Sequence, residues 1–202
     1  DMVDLDAMVD HSVRLGWTGG VNKRSVSELV ISMAVALLRH VPIANGEMRT
    51  GTFRQHVGRQ LSDCTIGIVG CGHVGKDLAK LLRAFGCRVL ANDILDFPEF
   101  YSETGVMPAS LETVLKDSEV VTLHLQLDDT TKNILDERHL GLMKQGAVLI
   151  NAARGGLVDE AALKSVLKSG ALAGAGFDVF RTEPPDDLEL LNLPNFLATP
   201  HI

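Results

Sequence analysis

The stretch Thr65-Ile-Gly-Ile-Val-Gly-Cys-Gly-His-Val-Gly75 decides the fold of this chain. Its first five residues form a short apolar run, which predicts a buried strand. Three glycines follow in the spacing Gly-x-Gly-x-x-Gly, and a helical pattern continues over residues 74–85. In such a strand–turn–helix unit Gly70 permits the tight turn, Gly72 lets the backbone approach a pyrophosphate, and Gly75 lets helix and strand pack closely. The stretch therefore predicts a dinucleotide site at a helix N-terminus, where free N–H groups face the phosphates.

An acidic residue completes this pattern. Asp93 follows the second predicted strand, where a carboxylate binds the ribose hydroxyls of the adenosine half of a dinucleotide. A carboxylate there also repels a 2′-phosphate, so the sequence favours NAD over NADP. The alternative is a structural glycine turn beside a solvated aspartate, and the complete strand–turn–helix context favours the cofactor site.

From residue 64 onward, short apolar runs alternate with helical patterns. The predicted strands are 65–69, 88–91, 120–124, 147–150, 174–177 and 196–199. The predicted helices lie near 74–85, 110–116, 136–143 and 159–169. Strands that alternate with helices form βαβ units. We therefore expect an α/β fold of the Rossmann type, a doubly wound parallel sheet with helices on both faces.

The first sixty residues lack this alternation. Residues 16–24 are rich in glycine and predict a loop or hinge. Ser25-Val-Ser-Glu28 matches a capping box and predicts a long helix with an apolar face that begins there. Pro42 and Gly46 are expected to end or kink this helix. Residues 47–63 are polar and predict irregular structure.

The composition excludes several classes of protein. Of 202 residues, 46% are hydrophobic and 22% are charged, which is typical of a globular chain and too apolar for a disordered one. The net charge of −7 argues against nucleic-acid partners and anionic membrane surfaces, because both require a basic face. The longest apolar stretch, residues 29–38, is too short to span a bilayer.

Cysteine and histidine usage points to a site without metal. Three cysteines are too few for a disulfide framework and show no metal-ligand spacing, so we expect no metal and a reducing, cytoplasmic compartment. Cys71, inside the glycine turn, is interpreted as a small packing residue. Five histidines are interpreted as surface or packing residues: His11, His40, His56, His124 and His139.

Arg154 lies just after a predicted strand, at the carboxyl edge of the sheet where ligands bind. It belongs to the motif Asn151-Ala-Ala-Arg-Gly-Gly-Leu-Val-Asp-Glu160. A guanidinium at this edge can hold a carboxylate through two hydrogen bonds. Taken alone, Arg154 is equally well explained as a structural salt-bridge partner. Asp159 and Glu160 are interpreted as caps of the next helix.

Two further residues at strand ends form a workable acid–base pair. Glu183 lies in Phe177-Asp-Val-Phe-Arg-Thr-Glu183, after one strand, and His201 lies in Thr199-Pro-His201, after the last strand. A glutamate near a histidine orients the imidazole and stabilises its charged form. Each residue alone is weak evidence, but Arg154, Glu183 and His201 all fall on the side where the dinucleotide is expected.

Together these motifs resemble the NAD-binding domain of the D-isomer-specific 2-hydroxyacid dehydrogenases, the family of phosphoglycerate dehydrogenase and hydroxypyruvate/glyoxylate reductase. The resemblance covers essentially all 202 residues. It implies an oxidoreductase that transfers hydride between NAD(H) and a 2-oxo or 2-hydroxy acid. Arg154 would bind the substrate carboxylate and carbonyl oxygen, and His201, supported by Glu183, would exchange a proton with that oxygen.

The resemblance also assigns the cofactor site. His73 and Val74 would offer backbone N–H groups to the pyrophosphate, and Asp178 would contact the nicotinamide side. Family members often have an arginine at position 73 and a proline at position 126, where this chain has His73 and Gln126. The implied cofactor-binding residues are Gly70, Gly72, His73, Val74, Gly75, Asp93, Leu125, Ala152, Ala153, Arg154, Asp178 and His201.

The same resemblance implies a layout and partners. Residues 1–24 would be a hinge from a substrate domain absent from this chain, residues 25–200 the NAD-binding domain, and residues 201–202 the start of a second hinge. A homodimer is implied, with the helix after Ser25 at the interface; packing of that helix within its own chain is the alternative. The alternative function is an NAD(H)-sensing transcriptional corepressor of the same fold.

Overall fold

The computed structural model describes residues 3–16 and 18–202, so positions 1, 2 and 17 of the expected hinge segment 1–24 lie outside the described residues. Within this part of the chain there are seven strands and nine α-helices. The strands are β1 (Thr65–Val69), β2 (Arg88–Asn92), β3 (Met107–Pro108), β4 (Val120–Leu123), β5 (Ala147–Asn151), β6 (Leu172–Phe177) and β7 (Phe196–Ala198). The helices are α1 (Leu5–Asp10), α2 (Lys23–Leu38), α3 (Val41–Arg49), α4 (His73–Ala84), α5 (Pro98–Thr104), α6 (Leu111–Asp117), α7 (Glu137–Leu140), α8 (Glu160–Lys168) and α9 (Leu188–Leu191).

The strands form one parallel sheet in the order β3-β2-β1-β4-β5-β6-β7. The chain builds outward from β1 to β3 and then returns to place β4 on the other side of β1. This reversal creates a crevice at the carboxyl ends of β1 and β4, which is where ligands bind in open α/β sheets. The predicted doubly wound parallel sheet is confirmed.

Each face of the sheet is covered by its own apolar cluster. On one face, Ile68 and Ile150 pack with side chains of α2 and α4 such as Met33 and Leu78. On the other, Leu149 packs with side chains of α6 and α8. Strands buried on both faces read as continuous apolar runs, which is why the sequence reveals them so directly.

Helix α2 packs against its own sheet. Gly174 and Gly176 of β6 lie beneath it, and a Cβ on Gly176 would approach Met33 Sδ to 3.2 Å and Leu37 Cδ1 to 3.3 Å. The apolar face of α2 is therefore buried within its own chain. No single helix among the described residues is long and apolar enough to cross a membrane; α2 and α3 meet that test only as a pair bent by 62°.

The predicted capping box is wrong. Helix α2 begins at Lys23 with Asn22 as the N-cap, no side chain caps it, and Ser25 lies inside the first turn. A contact distant in sequence holds this end instead: the Arg24 guanidinium donates two hydrogen bonds to Asp77 of α4, at 2.9 and 3.0 Å. The helix start is therefore decided by packing against α4 and not by a local cap.

The predicted end of helix α2, at Pro42 or Gly46, is also wrong. Helix α2 ends at Leu38, and His40 takes a left-handed conformation with φ of 56°. Pro42 then lies in the first turn of α3, where its fixed φ suits a helix start. Gly46 lies inside α3, so residues 47–49 are helical while residues 52–60 contain no helix or strand. Helix α7 is shorter than predicted, and α5, β3 and α9 were not predicted.

Candidate functional site

The glycine turn after β1 leaves space where a phosphate group would approach. Gly70 has φ of +98°, a conformation that disfavours any side chain, and its N–H donates to the carbonyl of Asn92 at 2.8 Å. A Cβ on Gly75 would collide with the carbonyl oxygen of Gly70. A Cβ on Gly72, the N-cap of α4, would meet nothing within 4 Å. Because no side chain caps α4, its first N–H groups are left for a ligand, and the turn fits a dinucleotide pyrophosphate.

Asp93 binds the same turn from the end of β2. Its Oδ2 accepts a hydrogen bond from the N–H of Cys71 at 2.6 Å, and its Oδ1 accepts one from the N–H of Leu95 at 2.9 Å. The carboxylate is therefore held beside the turn, at the position expected for the ribose contact.

Cys71 within this turn is a packing residue, as predicted. Its side chain is fully buried, and burial raises the pKa of the thiol to about 11. The thiol therefore stays protonated and unreactive near neutral pH.

Asn151 shapes the loop that carries Arg154. Its buried side chain accepts a hydrogen bond from the N–H of Ala153 at 3.2 Å and donates one to the carbonyl of Arg154 at 2.9 Å. The exposed Arg154 guanidinium donates through Nη1 to the Ala153 carbonyl at 2.6 Å. Arg154 thus stands at the end of β5 with its remaining N–H groups available to a ligand.

Glu183 and His201 meet in space, as predicted. His201 Nδ1 lies 2.9 Å from Glu183 Oε2, and the other oxygen, Oε1, accepts the N–H of Phe180 at 3.0 Å. The hydrogen bond to His201, the Phe180 N–H and the nearby charge of Arg154 all lower the pKa of the Glu183 carboxyl. The glutamate is therefore ionised near neutral pH, the state that holds and charge-balances an imidazolium.

Asp178 supports the turn that presents His201. Its buried Oδ1 accepts the Thr199 hydroxyl at 2.6 Å and the N–H of Ile202 at 3.0 Å, on either side of the histidine. His201 itself has φ of 57°, a left-handed conformation that costs a non-glycine residue about 1–2 kcal/mol. The two bonds to Asp178 hold the histidine in this conformation. Sequence reasoning assigned Asp178 only to the cofactor and missed this contact.

These elements surround one crevice of about 360 Å³ at the carboxyl edge of the sheet. It is lined by nine of the expected site residues: Gly72, His73, Val74, Leu125, Ala152, Ala153, Arg154, Asp178 and His201. Gly70, Gly75, Asp93 and Glu183 do not line it. The glycines shape the turn from within, Asp93 lies at the outer side of that turn, and Glu183 holds His201 from outside the crevice.

His124 also lines the crevice, although the sequence gave it no role beyond surface or packing. It follows β4, and its Nε2 lies 3.1 Å from the hydroxyl of buried Thr122. Burial lowers the pKa of His124 from 6.5 to about 4, so the imidazole is neutral near neutral pH. Thr122 and His124 are alternate residues of the predicted strand 120–124, a spacing that places both side chains on one face, and this was the available sequence signal.

The half-buried His124 makes the stability of the fold depend on pH in the acidic range. Between pH 6.5 and about 4 the unfolded chain binds a proton at this residue and the folded chain does not. Stability should therefore fall with decreasing pH in this window, by at most about 1.4 kcal/mol per pH unit, and level off below it. Chemical denaturation at several pH values should show that His124→Gln flattens this dependence, whereas His11→Gln, at an exposed position, leaves it unchanged. Parallel pH profiles for the wild type and His124→Gln would contradict the assignment.

The fold and the crevice define a class of protein. A parallel sheet in this order, an open glycine turn, an aspartate after β2 and an Arg–Glu–His set after strands are typical of the nucleotide-binding domains of dehydrogenases that use a nicotinamide dinucleotide. Residues 31–202 match the family described as "D-isomer specific 2-hydroxyacid dehydrogenase, NAD binding domain", and the chain belongs to this family.

Individual relatives agree with this assignment. The chain is 37% identical to D-3-phosphoglycerate dehydrogenase of Bacillus subtilis over 100% of its own length and 39% of the relative. It is 43% identical to glycerate dehydrogenase of Methylorubrum extorquens, over 100% of its length and 65% of the relative. Its fold matches D-lactate dehydrogenase with NAD⁺ from Lactobacillus jensenii with a TM-score of 0.88 and 31% identity, covering 98% of this chain and 64% of that one. The chain thus spans about two fifths to two thirds of the length of these proteins.

Proposed function

We propose that the full-length protein is an NAD-dependent oxidoreductase that interconverts a D-2-hydroxy acid and its 2-oxo acid, and that this chain is its nucleotide-binding part. One observation carries the proposal: the hydrogen bond between His201 Nδ1 and Glu183 Oε2 places an acid–base pair at the crevice that Arg154 also lines. The names of the relatives, which include glycerate and D-lactate dehydrogenases, support this class of substrate.

The cofactor would be held by backbone N–H groups at its central pyrophosphate and by one carboxylate toward each end. The N–H groups that begin α4, at His73 and Val74, suit the pyrophosphate, while Gly70 and Gly75 shape that turn and Asp93 suits the adenosine ribose. Asp178 keeps Oδ2 free of protein partners among the described residues, so it can serve the nicotinamide side while Oδ1 holds the His201 turn. Leu125, Ala152 and Ala153 line the path between these ends. When bound, the nicotinamide supplies the hydride or takes it up.

Arg154 and His201 would act on the substrate. The guanidinium can bind a carboxylate bidentately and polarise the adjacent carbonyl, because among the described residues its one hydrogen-bond partner is the Ala153 carbonyl. Since Nδ1 of His201 is bound to Glu183, Nε2 is the nitrogen that gives a proton to the carbonyl oxygen during reduction and takes it back during oxidation. The ionised Glu183 stabilises the imidazolium that exists before reduction and after oxidation.

A homodimer through this domain remains part of the proposal. Because the apolar face of α2 is buried in its own chain, the support comes from other apolar side chains on the surface. Val41 and Met48 of α3 are exposed, as are Phe53 and Val57 in the segment that follows, with Phe53 at 89% and Val57 at 95%. Exposed apolar side chains grouped in one segment favour a protein interface.

The layout and location also remain proposals. We propose a hinge over residues 1–24, the NAD-binding domain over 25–200 and a second hinge from His201; the start of α2 at Lys23 favours a first boundary slightly earlier. A cytoplasmic location is supported by the three buried free thiols, Cys64, Cys71 and Cys87, which suit a reducing compartment.

A panel of 2-oxo acids tests the function. Full-length protein with NADH should reduce at least one of hydroxypyruvate, glyoxylate, 3-phosphohydroxypyruvate, pyruvate and 2-oxoglutarate, and NADPH should be a poorer donor because of Asp93. Arg154→Lys should raise KM, lower kcat, and reduce kcat/KM about 10–100-fold, because a lysine cannot form two parallel hydrogen bonds to a carboxylate.

Arg88→Lys is the matched control, since Arg88 is exposed at the start of β2, at the opposite edge of the sheet from the crevice, and its side chain forms no hydrogen bond among the described residues. It should leave the kinetics unchanged. Unchanged kinetics in Arg154→Lys would remove Arg154 from the substrate site. If the full-length protein binds NADH but reduces no 2-oxo acid, that result would contradict the proposed enzymatic function and favour the alternative, an NAD(H)-sensing corepressor.

A further inference from the structure

We propose that Glu160 is a positioning residue for the acid–base pair: it fixes the loop that carries Glu183 against the loop that carries Arg154. This inference rests on the proposed function, since it assigns Glu160 to the geometry of the same site. The sequence had assigned Glu160 to helix capping, and the structure assigns that task to its neighbour.

The capping task belongs to Asp159. Its Oδ1 accepts the N–H groups of Ala161 at 3.0 Å and Ala162 at 3.1 Å, which satisfies the start of α8. The carboxylate of Glu160 points elsewhere and accepts the backbone N–H of Arg181 at 2.8 Å. It therefore joins α8 to a loop that follows β6.

A series of contacts leads from the hydrogen bond between Glu160 and Arg181 to His201. Next to Arg181, the N–H of Phe180 donates to Glu183 Oε1 at 3.0 Å, and Glu183 Oε2 lies 2.9 Å from His201 Nδ1. Glu160 thus holds the peptide that follows Phe180, Glu183 binds the N–H of the peptide immediately before it, and Glu183 in turn orients the imidazole.

A second contact at the same place constrains the Arg154 loop. Gly155 lies so close to the carbonyl of Phe180 that an added Cβ would collide with it. The two loops are therefore in backbone contact where Gly155 meets Phe180. The carboxylate of Glu160 acts as a clamp at this contact, because it accepts the N–H of the next residue, Arg181. Because Arg154 precedes Gly155, this clamp sets the position of the substrate-binding guanidinium relative to His201.

Two substitutions in the full-length enzyme separate the effect of the length of the Glu160 side chain from the effect of its charge. Glu160→Gln keeps an oxygen at the same distance and loses the charge, so its amide can still accept from Arg181. Glu160→Asp keeps the charge but is one methylene too short. We expect Glu160→Asp to lower kcat about tenfold or more, because small displacements of a catalytic group are costly, and Glu160→Gln to stay within about threefold of wild type. NADH affinity should be unchanged in both.

A readout independent of turnover is the NMR resonance of the His201 Nδ1–H proton in the enzyme without cofactor, assigned through His201→Gln, because this proton lies in the hydrogen bond to Glu183 Oε2. In Glu160→Asp the resonance should move upfield, toward that of an imidazole without a carboxylate partner, or be lost to exchange with solvent, while Glu160→Gln should retain the wild-type resonance. A role limited to loop stability would leave this resonance in place.

The outcomes are decisive in either direction. Equal losses in both variants, or wild-type kcat and a wild-type His201 Nδ1–H resonance in Glu160→Asp, would overturn the proposal. If the wild-type enzyme reduces no 2-oxo acid, the proposed function fails, but the Nδ1–H resonances of the two variants still decide whether Glu160 positions the Glu183–His201 pair.

Discussion

His201→Ala in the full-length enzyme is expected to lower kcat for 2-oxo acid reduction by about 10²–10⁴-fold, the usual contribution of general acid catalysis. NADH affinity should stay within about twofold, because the proposed cofactor site consists chiefly of the glycine turn, Asp93 and Asp178. The physical reason is that His201 is oriented as a proton donor, by Glu183 through Nδ1 and by the Asp178-bound turn through the backbone. Stopped-flow hydride transfer and fluorescence titration of NADH measure the two effects separately.

His139→Ala provides the control. His139 also pairs with a carboxylate, with its Nδ1 2.7 Å from Asp136 Oδ1, but it lies in α7 away from the crevice. Its removal should leave hydride transfer unchanged. A large loss of NADH affinity in His201→Ala, with hydride transfer intact in the bound fraction, would make His201 a cofactor residue and remove it as the acid.

Gly75→Ala is expected to damage both the fold and the cofactor site. The new Cβ would collide with the backbone carbonyl of Gly70, which no rotamer change relieves. Overpacking of this kind destabilises by about 1–3 kcal/mol. A displaced turn that loses two or three hydrogen bonds to the pyrophosphate should weaken NADH binding about 100-fold. Denaturant unfolding and calorimetric titration of NADH measure these changes.

Two other glycines make the comparison specific. Gly72→Ala places its Cβ in open space, so stability should be nearly unchanged while NADH affinity falls, because that space is where the phosphates approach. Gly46→Ala, inside α3 with nothing within 4 Å of its Cβ, should affect neither property except for a small gain in helix stability. Wild-type affinity in Gly72→Ala would contradict the placement of the pyrophosphate.

The sequence was informative where the structural cause is local. The strand–turn–helix unit around Gly70 follows from an apolar run and three glycines at fixed spacing, and the structure confirms β1 at its predicted bounds. The alternation of strands and helices implied the parallel sheet because each buried strand is a continuous apolar run. Once the strands were parallel, Arg154, Glu183 and His201 had to share one edge.

The sequence failed at both ends of α2. The helix starts at Lys23 and not at the apparent cap at Ser25, and Arg24 in its first turn binds Asp77 of α4. The prediction of an irregular chain after residue 46 overlooked that Pro42 suits the first turn of a new helix. Both errors came from applying a local rule at a place where more than one local rule fits.

The sequence by itself determined the class of fold, the dinucleotide turn and the residue types at the strand ends, since these depend on periodicity and on short-range stereochemistry. Only the tertiary structure decided which oxygen accepts a hydrogen bond from which donor. Asp178 bridges Thr199 and Ile202 around a left-handed His201, His124 enters the crevice as a neutral imidazole, and Glu160 reaches the backbone of Arg181. Hydrogen bonds such as these join segments far apart in the chain, and a fraction of an ångström in loop position makes or breaks them, so no spacing in the sequence encodes them.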